Sequence, residues 1–155
     1  MLITFYLWNA GYLEQPVLYL SSYFKKYNKN YINRLEDYHN GLIDRWLDFF
    51  MDGVIEIARE AINTVAIITN LHIKDMSKIA SLGKRSSESA SLVFPKLFTQ
   101  PVVSVSTISQ WTGFSTPGAQ KVIDRFVDLG NLQIKDEDIK NGQLYRYTQY
   151  LDIFN

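Results

Sequence analysis

The chain has 155 residues, of which 46% are hydrophobic and 14% aromatic, and its 16 cations balance 16 anions. Zero net charge excludes a strong global pull toward nucleic acid or an anionic membrane. The lack of cysteine excludes disulfides and thiolate metal ligands, and with only His39 and His72 a histidine-rich metal site is excluded too.

Leu2, Ile3, Phe5, Tyr6, Leu7 and Trp8 open the chain as a short apolar run. It has neither the basic residues nor the small-residue cleavage site of a signal peptide. Asn9, Gly11 and Glu14 interrupt it well short of a membrane span. It reads as the rear of a buried helix with Gly11 as a left-handed cap, and so carries the expectation that something belongs in front of residue 1. Tyr12 to Gln15 reads as a connector, because Pro16 cannot join a helix interior. Val17 to Leu20 is apolar, Ser21 offers an N-cap, and a short helix follows over 22–27. Asn28-Lys29-Asn30 reads as a polar turn. Tyr31, Leu35 and Tyr38 then share one face of a helix that stops near Asn40-Gly41.

From Leu42 to Leu82 apolar residues recur at helical spacing, including Trp46, Phe49, Ile57, Ile62, Ile68, Met76 and Ile79. This predicts one long spine with a hinge at Gly53. Ser81 to Ser87 is a serine-rich polar break, and the expected domain boundary lies there, giving domains 1–82 and 83–155. Ser86 or Ser87 caps a predicted helix over 89–99, with Pro95 imposing a kink or a late start.

The last segment predicts an extended run over 102–106 and a short helix over 107–112 that ends at Gly113. A longer helix follows from Ser115 or Thr116, with Pro117 in its first turn. Its inner stripe is Ala119, Val122, Ile123, Phe126 and Leu129, and Gly130 ends it. Two strands follow, 132–135 and 144–148, joined by a polar loop with Asn141-Gly142 as turn signal. Short helix, turn, longer helix and β-hairpin, in that order, resemble a winged helix-turn-helix.

Several stretches carry a further resemblance: Leu2-Ile3-Thr4, Ala10-Gly11-Tyr12-Leu13, and above all Gln15-Pro16-Val17-Leu18-Tyr19-Leu20-Ser21-Ser22-Tyr23-Phe24. With Tyr31-x-x-x-Leu35 and Trp46-Leu47-x-Phe49-Phe50, they resemble the segment that directly follows the active-site motif of the Fic family of AMP-transferring proteins. The likeness covers roughly residues 2 to 60, and the closing Tyr150-Leu151-Asp152-Ile153 resembles the end of the C-terminal module of many such proteins. The family's His-Pro-Phe-x-x-Gly-Asn-Gly-Arg motif is absent from these residues. In the family its histidine is the base toward a target hydroxyl, and its glycine-rich turn and helix N-terminus hold the phosphates. The resemblance therefore implies a cut piece or the product of a split gene. No cofactor is expected for this chain, with ATP and Mg belonging to an intact parent. It also implies that Tyr31, Tyr38 and His39 are candidates for one wall of the parent's nucleotide pocket, although simple packing of the bundle is the favoured reading of Tyr31 and Tyr38.

A DNA-reading role would fall on the exposed residues of the longer C-terminal helix. The candidates are Ser115, Thr116, Gln120, Lys121 and Arg125, with Arg146 on the hairpin. Gln120 suits adenine, and Lys121 suits a phosphate or guanine. Against this, residues 86–155 hold six cations and seven anions, and the wing tip Asp136-Glu137-Asp138 would repel the backbone it should touch. Gly118 also weakens the first turn of that helix. Exposed Tyr145, Tyr147 and Phe154 would suit a protein contact, though core packing of the hairpin explains them equally.

The expected fold is mainly α: a helical remainder of a Fic domain, a long linking helix, then a winged-helix α+β domain. The expected function is that of a Fic C-terminal portion, inactive by itself, in the cytoplasm and without membrane contact. The alternatives are a free-standing winged-helix DNA-binding regulator and a dimerising adaptor, so the expected partners are DNA, a second copy or another protein.

Overall fold

A computed structural model describes residues 2–12, 19–135 and 142–154. It is mainly helical, with one small three-stranded antiparallel sheet. The chain divides into two compact units, Met1–Val65 and Ala66–Asn155. No helix among the described residues is long and apolar enough to cross a membrane.

In the first unit α1 spans Leu2–Asn9, α2 Leu20–Lys26 and α3 Asn28–His39, and the unit ends within α4, which spans Ile43–Ala80. Gly11, at φ +80, closes α1 as expected, with the Tyr12 N–H donating to Leu7 O at 2.9 Å. Of the α1 side chains that are described, Leu7 is half-buried and Tyr6 and Trp8 stand exposed. The expected connector around Pro16 lies outside the described residues, apart from Tyr12. Asn28-Lys29-Asn30 is the first turn of α3 rather than a free turn, because the Tyr31 N–H already donates back to Tyr27 O at 2.9 Å.

The expected hinge at Gly53 is also absent, as α4 runs through it without a break. Gly53 instead lets a ring approach. A Cβ there would lie 2.7 Å from Cδ1 of Tyr23, so only glycine admits that contact without a shift. The described core of this unit is small. Tyr23, Phe49 and Ile57 are buried together, flanked by Phe24, Tyr27, Tyr31 and Trp46.

In the second unit α5 spans Lys84–Leu97, β1 Val102–Ser104, α6 Val105–Thr112, α7 Thr116–Asp128, β2 Gln133–Ile134, β3 Leu144–Arg146 and α8 Thr148–Leu151, followed by a 3-10 turn. α5 starts earlier than the serines suggested. Gly83 is its N-cap, and the Ser86 and Ser87 N–H groups donate to Gly83 O at 2.8 and 3.0 Å. Pro95 sits inside α5, near its end, where little of the helix ladder remains to be lost. The sheet order is β1-β3-β2, with Tyr145 opposite Val103 on one side and Ile134 on the other.

The core of this unit is extensive. Ile79 from the end of α4, Phe94 and Leu97 from α5, Ile108 from α6, and Val122, Ile123 and Phe126 from α7 are essentially fully buried. Burial of each large apolar side chain contributes about 1.5–3 kcal/mol. Leu71, Met76 and Leu82 pack against the same cluster, so the polar break at 81–87 lies within this unit. Tyr145 and Tyr147, considered as exposed contact residues, are core residues instead, while Phe154 is exposed. The alternation of the hairpin turns both tyrosines inward.

Candidate functional site

On the first unit, α2, α3 and the early turns of α4 enclose an open groove of about 940 Å³. Its α4 wall has a regular origin in the sequence: Asp48, Asp52, Glu56 and Glu60 recur every fourth residue, a row whose neighbours lie one above the other as it winds slowly around the helix. Like charges at this spacing repel by roughly 0.2–0.5 kcal/mol per pair. Lys26 answers part of this row, its Nζ lying 2.6 Å from Glu56 Oε1, and the Tyr27 hydroxyl donates to the same carboxylate at 3.3 Å. The bond to Glu56 pushes the Lys26 ammonium above its usual pKa. The Tyr23 hydroxyl is also pushed up, first by burial and then by the charges of Asp52 and Glu56. Arg34, Arg45 and Arg59 line the groove against Asp48, Asp52, Glu56 and Glu60, so it offers no anionic ligand a net attraction.

The three residues expected on a nucleotide wall lie apart from this groove. Tyr31 belongs to an aromatic cluster, with its ring stacked 4.9 Å from Phe24 and edge-on to Trp46 at 5.7 Å. Tyr38 and His39 are exposed at the end of α3, their rings perpendicular at 6.0 Å. His39 Nδ1 lies 2.6 Å from Leu35 O, which fixes the proton on that nitrogen.

In the second unit, the helix pair that would present α7 is built from local signals. Ser104 caps α6 in a reciprocal capping box with Thr107. Gly113, at φ +73, ends it in a left-handed cap. Ser109 Oγ donates to Phe114 O at 2.6 Å, and the Phe114 N–H donates to Thr112 Oγ1 at 3.2 Å, which holds the turn. Pro117 then lies in the first turn of α7.

The expected DNA-reading residues do not share one face. Ser115 and Thr116 are exposed where α7 begins. Gln120 is turned toward the sheet, donating to Asp124 Oδ1 at 2.7 Å and to the Tyr145 hydroxyl at 3.4 Å. Lys121 and Arg125 turn the other way, toward α5, where they meet Arg85 around a groove of about 540 Å³. Arg125 Nη1 donates to Ser89 Oγ at 2.9 Å. Arg146 is exposed on the central strand, between Val102 and Gln133. The acidic wing tip Asp136-Glu137-Asp138 lies outside the described residues. Sequence reasoning missed Arg85 and Ser89 as site residues, because it placed Arg85 in the polar break at the expected domain boundary. The available signal was the i, i+4, i+7 spacing of Arg85, Ser89 and Leu92, which places them on one helix face.

A buried polar cluster also ties the end of α4 to the hairpin. The Tyr147 hydroxyl donates to Asp75 Oδ2, and Lys78 Nζ lies 2.7 Å from Asp75 Oδ1. Asn131 is buried beside them, and its amide makes no hydrogen bond of good geometry within the protein. Burial first, then the bond and charge of Asp75, push the Tyr147 phenol far above its ordinary pKa.

No protein-family model matches the chain, and no curated protein matches it.

Proposed function

We propose that this chain is the C-terminal portion of a Fic-family AMP-transferase, without AMP transfer of its own, in which a winged-helix unit makes regulatory contacts. The observation that carries the reading is the state of α4 in the first unit. Ile43, Leu47, Met51 and Ile55 form an exposed apolar stripe at four-residue spacing, and Ile62 is 70% exposed further along. Set against a described core of Leu20, Tyr23, Phe49 and Ile57, that is the pattern of one half of a helical domain. Units of about 60 residues bury barely enough surface to fold alone even when compact. A Fic portion that follows the catalytic motif would leave such a face for the motif-bearing helices to cover.

The second unit supports the winged-helix part of the reading through its helix–turn–helix and the β1-β3-β2 sheet. A free-standing DNA-binding regulator is the weaker alternative. Gln120 is engaged within the protein, and Lys121 and Arg125 share α7 with Asp124 and Asp128. In this account ATP and Mg belong to the intact parent, where the motif would supply both base and phosphate ligands. The test is incubation with labelled ATP and a cell extract. No label above the extract control is expected, and robust AMP transfer that depends on this chain alone would overturn the reading.

A further inference from the structure

We infer that the groove between α5 and α7 is a docking site for an acidic segment of a partner protein that carries an apolar anchor side chain. The inference rests on reading the second unit as a contact module and names the partner's chemistry. Three cations rim the groove, Arg85 from α5 and Lys121 and Arg125 from α7, against one carboxylate, Glu88. Among the described residues none of the three is in an ion pair.

Arg125 is half-buried, and Ser89 fixes one arm of its guanidinium. A half-buried guanidinium without a carboxylate keeps its desolvation cost and its remaining donors, and a planar fork so held is suited to a bidentate carboxylate. The floor is apolar: Leu92, Phe114 and Val122 line it, and Leu92 is 59% exposed. An exposed leucine in a concavity ringed by positive charge calls for a ligand with an apolar side chain among acidic ones. Gly118 keeps the turn close, since a Cβ there would lie 3.3 Å from the Phe114 Cβ and narrow that wall. The glycine that weakens α7 as a DNA-reading helix thus has a packing role at this groove.

Duplex DNA fits the site less well. Its backbone is a convex polyanion with no apolar group to bury on Leu92, and Glu88 would face it across the groove.

The probes are two synthetic peptides added to the full ¹⁵N-labelled chain, one with a leucine between pairs of glutamates and one with lysines in place of the glutamates. The expected result is amide shifts at Arg85, Ser89, Leu92, Lys121 and Arg125 with the acidic peptide only. Binding should weaken about tenfold in Lys121→Glu, whose exposed site spares the fold, and also weaken when the peptide leucine becomes serine. The proposal is overturned by equal binding of the lysine peptide, by shifts elsewhere, or by no shifts at millimolar peptide. Tighter binding of a mixed-sequence DNA duplex at the same residues, or concentration-dependent self-association through them, would also overturn it. AMP transfer is measured separately, so failure of this proposal and failure of the functional reading are distinguishable.

Discussion

Replacing Tyr147 with Phe removes one oxygen from the middle of the second unit and leaves the ring in place. The hydroxyl donates to the fully buried Asp75, whose other oxygen lies 2.7 Å from Lys78 Nζ. A hydrogen bond to a charged group contributes about 1.5–3 kcal/mol, and its loss leaves a buried carboxylate oxygen without a donor. The ring keeps its packing with Phe94 and Phe98, so no cavity adds to the cost. In a domain of about 60–100 residues each kcal/mol corresponds to about 4–8 °C, which places the expected fall in Tm between about 6 and 24 °C. The sign with pH follows from the raised phenol. The folded state holds the Tyr147 proton above the ordinary value of 10.0, so its contribution is fully present below pH 10 and is lost as pH rises further and the unfolded chain ionises. Thermal and urea unfolding of the parent, Tyr147→Phe, Asp75→Asn and the double variant, at pH 7 and above pH 10, measure all of this. The expected coupling between the two sites is about 1–3 kcal/mol, and Tyr147→Phe should lose part of the alkaline slope. A single variant within about 0.5 kcal/mol of the parent, or a coupling near zero, refutes the reasoning.

Gly53→Ala gains up to about 1 kcal/mol of helix propensity but drives a methyl to 2.7 Å from the buried Tyr23 ring. Overpacking of about 1–3 kcal/mol should win, read as faster amide exchange in α2 and the early turns of α4. Leu47→Lys and Met51→Lys alter exposed positions, so each should change the stability of the chain alone by no more than about 0.5 kcal/mol. A loss of several kcal/mol in chemical unfolding would show the stripe to be covered. Ser104→Ala removes the capping box of α6 and should cost about 1 kcal/mol by thermal unfolding; no change would show the cap to be idle.

The sequence spoke most clearly where local and tertiary demands coincide. On α7, Pro117, the stripe Ala119, Val122, Ile123, Phe126 and Leu129, and Gly130 all point to the same helix; the first four stripe residues are buried, and Leu129 is half-buried at the C-cap. The helix starts were harder to place. Ser86 and Ser87 are better caps than Gly83 by propensity, yet the backbone bonds to Gly83 O set the start of α5. Asn28 to Asn30 look like a turn because asparagine favours turns, but the chain turns at Tyr27 and α3 begins immediately. Gly53 looks like a hinge because the ring it admits is thirty residues away in sequence, which periodicity cannot see. The α5–α7 groove was hidden for the same reason. Lys121 and Arg125 were legible as exposed cations, but which neighbour they face depends on how α5 crosses α7.

Hydrogen exchange along the whole chain tests the account most directly, because its central claim is that one unit is a finished core and the other half of one. Amides of α7 should exchange only through global opening of the second unit, and those of α2, α3 and residues 43–65 should exchange orders of magnitude faster. Uniform protection across both units, with 43–65 as slow as α7, would contradict it.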